Sequence, residues 1–163
     1  MFVVPKKYIP KYLSKSNAQV LKKEIQKSRK AYKKGKYYIR KAVKTMKVQE
    51  SKHVKNAKKL YGIRTMKINK ELSRKTKCSL KGLQKIMQKG KGAYFSGSRP
   101  GQTPTSWGYA RLASSITGGK SAAVDFHILD EHCNHKTSKA YKLAKKSRKK
   151  HKKGTRKVPK RYL

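Results

Sequence analysis

A mostly α protein, a small helical core domain with extended, highly basic N- and C-terminal arms, is the fold class this sequence predicts. Three observations predict it. Apolar residues recur at helical spacing between residues that cap helices and glycines that stop them. Hydrophobic residues fill only 35% of the 163 positions, so the core is small and much of the chain must be arm or tail. The charge is also one-sided, with 47 Lys and Arg against six Asp and Glu, a net +41.

Each element follows in order. Residues 1–13 hold prolines at 5 and 10 and tyrosines at 8 and 12, which reads as an extended arm. Ser14 caps a first helix and Gly35 stops it, with Leu21, Ile25 and Tyr32 as a thin apolar stripe among lysines. Residues 36–43, KYYIRKAV, are strand-like in type but can join either neighbour. A second helix runs from its cap Ser51 to its stop Gly62, showing Val54, Ala57 and Tyr61 on one face. Asn69 caps a short helix through Lys75. Ser79 caps the next, which ends at Gly90 and buries Leu80, Leu83, Ile86 and Met87. Turn formers crowd SGSRPGQTP. Thr105 or Ser106 then caps a helix that turns Trp107, Ala110, Leu112 and Ile116 inward and stops at Gly118 and Gly119. The small Ala110, Ala113, Ser114 and Ser115 permit close helix approach. Ser121 opens a last core helix through about His132, with Val124, Ile128 and Leu129 apolar.

The stretch GAYFSGSRPGQTPTSWGYARLASSITGGK, residues 92–120, carries only Arg99, Arg111 and Lys120 as charges and holds the sole tryptophan. Apolar density is highest there, so it reads as the folded heart of the protein. The organisation expected is a basic arm with helical segments over 1–62, a compact helical core domain over 63–135, and a basic tail over 136–163. The tail can begin as a helix, but Lys145–Lys153 has nothing to bury and should be disordered in the free protein.

A charge of +41 cannot be neutralised by Glu24, Glu50, Glu71, Asp125, Asp130 and Glu131. Folding such a chain alone costs self-repulsion, which implies a large anionic partner: nucleic acid, an anionic membrane face or an acidic protein surface. Lys outnumbers Arg 38 to nine, which favours bulk neutralisation over bidentate reading of bases. No apolar run approaches the ~20 residues of a membrane span, and the start does not read as a signal peptide. Two cysteines, Cys78 and Cys133, are too few for a disulfide framework, and one bridge between them is allowed but not implied.

The motifs that invite sharper readings each have a plain alternative. The helices on either side of Lys77 resemble a helix-turn-helix, but any small helical domain contains such a pair, and Gly82 weighs against a recognition helix. TGGKS at 117–121 nearly mimics a phosphate loop. It lacks the first glycine, since position 114 is Ser, so Gly118-Gly119 reads as a helix stop. The N-terminus that follows can hold an anion. His127, His132, Cys133 and His135 lie close in sequence, without the paired spacing of a zinc site. The acids beside them are the local counter-charge for Arg99, Arg111 or the basic arms. No nucleophile-elbow pattern occurs, and the expectation is a non-enzyme with no cofactor and no metal. Tyrosines interleaved with lysine, Tyr8, Tyr37, Tyr141 and others, suit either base stacking or anchoring of an arm in a protein groove.

The pieces VPKKYIPKYLSK, KSRKAYKKGKYYIRK, SKHVKNAKKLYG and, above all, SGSRPGQTPTSWGYARLASSITGGK resemble a small basic family encoded by large double-stranded DNA viruses of algae and amoebae, chlorella-virus-like in character. The likeness extends to about Cys133. It carries no catalytic residues. It implies a viral context and a place in the virion as a minor capsid protein on the inner face of an icosahedral shell, with the host cytoplasm as its location during assembly. There it would bridge the major capsid protein and other minor capsid proteins to DNA or to inner-membrane headgroups. The residues expected to anchor or dock are Trp107, Arg99, Arg111, Tyr94 and Tyr109, with Trp107 favoured as a core anchor. Those expected to meet anions are Lys145, Lys146, Arg148, Lys149, Lys150, Lys152, Lys153 and Arg156. A non-specific DNA-condensing protein is the alternative, and a ribosome-like RNA-binding protein the third reading.

Overall fold

The computed structural model describes residues 3–46, 50–97, 101–152 and 160–162. The fold is mostly α, as expected. Its helices are α1 (Lys15–Lys33), α2 (Lys52–Tyr61), α3 (Lys70–Thr76), α4 (Leu80–Phe95), α5 (Pro104–Ile116), α6 (Lys120–Val124), α7 (Phe126–His132) and α8 (Lys139–His151). Two short strands, β1 (Val3–Pro5) and β2 (Lys160–Tyr162), pair antiparallel with Val3 opposite Tyr162. The chain forms two compact units. Unit 1 comprises 1–49, 92–104 and 156–163, and unit 2 comprises 50–91 and 105–155. This division does not coincide with boundaries at 62 and 135, and it cuts the neutral block, whose first part belongs to unit 1.

Unit 1 gives the N-terminal arm a core of its own. Val4, Ile9 and Leu13 are buried with Leu21 and Ile25 of α1 and with Val43. The arm is therefore not the purely extended segment expected of it. After β1 it turns through a single 3₁₀ turn at Lys6–Tyr8 and lays its apolar side chains on α1. Ser14 caps α1, its Oγ accepting from the Asn17 N–H at 3.2 Å, and Gly35 takes a left-handed φ of 69° just beyond its end. The segment 36–43 is neither helix nor strand. Glu24 holds it instead, accepting from the Tyr38 hydroxyl and the Lys41 N–H, both at 2.8 Å. The buried ring of Tyr94 completes the unit. Its hydroxyl accepts from the Arg40 N–H at 3.0 Å, and the Arg40 guanidinium lies over its face at 4.2 Å.

Unit 2 holds the larger core. Leu83 and Ile86 of α4, Leu112, Ala113 and Ile116 of α5, and Ala140 and Ala144 of α8 are fully buried, with Leu72, Ala122 and Leu129 around them. The small residues anticipated at 113–115 are all buried. Glycines let α4 approach its neighbours closely. A Cβ at Gly90 would lie 2.7 Å from the Cα of Gly108 on α5, and one at Gly82 would collide with the His132 Cβ. Gly82 is thus a packing residue. Gly118, with φ of 75°, ends α5 as expected.

Several expectations are corrected here. α5 begins at Pro104 rather than after Thr105, because proline suits the first helical position, where no N–H is needed. α4 runs past Gly90 to Phe95, and its Leu80 and the Val124 of α6 are exposed. The expected helix from Ser121 to His132 breaks at Asp125 into α6 and α7. The tail folds through His151 as α8. Its Ala140, Ala144 and Ser147 form a buried stripe at helical spacing, and the Ser147 hydroxyl donates to the Gly119 carbonyl at 2.8 Å. Lysines at 145–150 are compatible with this order because they occupy the other faces. Cys78 and Cys133 form a disulfide, flanked by an antiparallel pair of backbone bonds, Ser79 N–H to His132 C=O and Asn134 N–H to Lys77 C=O, each 2.8 Å.

Candidate functional site

Electrostatics defines the site. Each of the six Asp and Glu side chains lies beside a basic one, Lys or Arg for four of them and a histidine, charged only when protonated, for Asp130 and Glu131. Glu24 pairs with Lys27, Glu50 with Lys58, Glu71 with Lys75, Asp130 with His135 and Glu131 with His132. Asp125 is fully buried and takes two cations, Lys89 at 3.1 Å and Arg111. Arg111 approaches it bidentately, Nε to Oδ2 at 3.0 Å and a terminal nitrogen to Oδ1 at 2.8 Å, while the Ser115 hydroxyl donates at 2.9 Å. Burial alone would raise the Asp125 pKa. The hydrogen bonds and charge of Arg111, with Lys89 and Ser115, outweigh it and hold the carboxyl below its ordinary 3.8. Burial likewise opposes the charge on Glu24, and bonds from Lys41, Tyr38 and Lys27 bring its carboxyl below 4.5. Among the described residues only five of the lysines and arginines enter these pairs. Lys81, Lys85, Lys145, Lys146, Lys149 and Lys150 enter none of them.

Helix periodicity concentrates that charge. On α4 the buried Leu83, Ile86 and Met87 leave an opposite face of Lys81, Gln84, Lys85, Gln88 and Lys89, all exposed. On α8 the buried small stripe leaves Lys145, Lys146, Arg148, Lys149 and Lys150 exposed, with Lys152 just beyond the helix. The Arg148 guanidinium also covers the Phe126 ring at 4.6 Å. Lys153, Arg156 and Arg99 lie outside the described residues. The α4 face was not singled out from sequence. Its signal was present, since it is the complement of the apolar residues that predicted the helix.

Beside that face lies a groove of about 830 Å³. Met87, Ile68, Ile128, Tyr109 and His127 line it with Lys81, Lys85 and Lys89 on the α4 side and Glu131 on another.

The other predicted docking residues separate. Tyr94 is a core residue of unit 1, Arg111 is committed to Asp125, and Tyr109 packs half-buried against the core of unit 2. Trp107 is half-buried rather than the core anchor expected. The inward positions of α5 are Gly108 and Leu112, and the glycine lets the α4 backbone come too close to leave room for an indole there. The histidines near Cys133 do not converge. His132 Nδ1 lies 3.0 Å from the Ser79 hydroxyl, the His135 ring stacks on Tyr141 at 4.2 Å, and Cys133 is bridged. Among the described residues no group of three or more His, Cys, Asp or Glu is placed to hold a metal ion, and no helix is long and apolar enough to cross a membrane.

The fold and surface define a small, mostly helical, strongly cationic protein whose few acids each lie beside a basic side chain. The chain belongs to a family of unknown function, DUF5824, matched over residues 5–136. α8 lies beyond the matched residues. No curated protein and no solved structure matches the chain.

Proposed function

We propose that the protein is a structural, non-enzymatic component that binds nucleic acid through its lysine faces, chiefly α4 and α8, by charge neutralisation rather than by reading sequence. The observation that carries this is the charge balance: four of the six carboxylates are paired with Lys or Arg and the other two face histidines, so most of the 47 Lys and Arg need an external polyanion. Lysine-dominated contact neutralises phosphates as point charges and leaves base edges unread. If half the cations met phosphates, they would cover roughly ten base pairs.

Titration of two unrelated DNA duplexes across salt tests this. The expected result is equal affinity for both, falling about 10³-fold or more between 50 and 200 mM salt. A preference for one sequence that survives high salt would overturn bulk neutralisation.

A minor capsid role on the inner face of a viral shell is the second reading. Beyond the resemblance, Tyr37 and Ile39 favour it. They stand 72% and 69% exposed in unit 1, and exposed aromatic and aliphatic side chains of this kind serve as anchors at protein interfaces. Fractionation of particles separates the two, because a capsid component stays with empty shells and a nucleoid component leaves with the genome.

A further inference from the structure

We propose that the groove between α4, α5 and α7 in unit 2 is a binding site for single-stranded nucleic acid, with phosphates on Lys81 and Lys85 and a base against Tyr109 and His127. The inference rests on the nucleic-acid reading above and adds a strand type and a place. Its first support is charge. Lys81 and Lys85 have no ion-pair partner among the described residues, both are exposed, and both line the groove. They stand one helical turn apart, about 6 Å along the axis. Lys89, next in the row, is turned to Asp125.

The second support is the character of the groove. Its floor is apolar, from Met87, Ile68 and Ile128, and it carries two flat rings, Tyr109 from α5 and His127 from α7. Its volume of about 830 Å³ falls in the range of about 300–1,000 Å³ typical of sites that enclose small organic groups. A cationic ridge beside an aromatic, apolar hollow is the arrangement that tracks a backbone and stacks bases. A duplex keeps its bases paired and offers the hollow nothing, so it would meet only the ridge. Glu131 on another wall repels phosphate there, which directs the backbone to the α4 side.

The full-length protein, oxidised, is titrated with fluorescent oligothymidylate and with a duplex of equal length. The double variant Lys81→Gln, Lys85→Gln is compared with Lys145→Gln, Lys149→Gln. The α4 variant should lower single-strand affinity about tenfold while lowering duplex affinity no more than the α8 variant does. The α8 variant should weaken both together. A photoreactive thymine in the oligonucleotide should crosslink to Tyr109 or His127. If the wild type binds both nucleic acids but the α4 variant weakens them equally, or the crosslinks map elsewhere, the groove assignment falls and the charge reading stands. If the wild type binds neither, both fall.

Discussion

Replacing Cys78 and Cys133 together by alanine should destabilise unit 2 by about 4 kcal/mol. The bridge joins residues 55 apart in sequence. In the chain-entropy description, closing a loop of that length removes about 14 cal/mol/K from the unfolded ensemble, or about 4 kcal/mol at 25 °C. Both cysteines are buried in the unit 2 core, and alanine there leaves little void and no unsatisfied polar group. A small domain has only about 5–15 kcal/mol in hand, so the loss is a large fraction. Urea melting followed by far-ultraviolet circular dichroism measures it. At a slope near 2 kcal/mol/M, the midpoint should fall by about 2 M. Reduced wild type should melt with the double variant. If oxidised wild type, reduced wild type and variant share one midpoint, the loop-closure reasoning is refuted.

Three further perturbations test the packing. Asp125→Asn should cost about 1–3 kcal/mol, because Asp125 is buried while the Lys89 and Arg111 side chains that lose their charged partner stay 39% and 20% exposed; its thermal melt is compared with wild type. The same group sets a pH dependence. Because the folded carboxyls of Asp125 and Glu24 lie below their ordinary 3.8 and 4.5, their stabilisation is full above those values and is lost as pH falls through the lowered folded values. Acid unfolding should therefore be shallower for Asp125→Asn. Gly90→Ala should destabilise by about 1–3 kcal/mol, since its methyl meets the Gly108 backbone rather than a side chain that can turn aside; urea melting reads this, and an unchanged midpoint would mean that α4 and α5 stand farther apart. Trp107→Ala should cost only about 2 kcal/mol, because the residue is half-buried and full burial would correspond to about 3–5 kcal/mol.

Local signals were legible where one side chain decides the outcome. Ser14, Ser51 and Asn69 each accept the capping hydrogen bond their sequence context implied, and Gly35, Gly62 and Gly118 adopt the left-handed conformation of helix stops. What required long-range contact was not legible. The arm's burial depends on Val43 and α1 lying opposite Val4, Ile9 and Leu13, and no periodicity announces that. Lys145–Lys153 looked unable to bury anything because hydropathy undervalues small polar side chains, yet Ser147 is buried there, in line with Ala140 and Ala144. Trp107 misled for the converse reason, since its size argued for a core position that Gly108 and Leu112 occupy. The groove joins residues from 68 to 131, and Tyr109 was its only member among the predicted docking residues.

The way α8 is held has a consequence for its dynamics. Two alanines and a serine are the side chains it fully buries, and side chains of that size contribute little to the free energy of docking. Its outer faces carry a column of like charges that repel one another within each turn. Such a helix should open locally at a cost below global unfolding, and its amides should exchange with solvent before those of α4 and α5. A polyanion that screens the column lowers the energy of the closed state, and binding and helical order are then linked: each is strengthened by the other to the same extent. The slowest-exchanging amides of α4 and α5 mark the framework, while protection at α8 gauges how much of the charge has been neutralised.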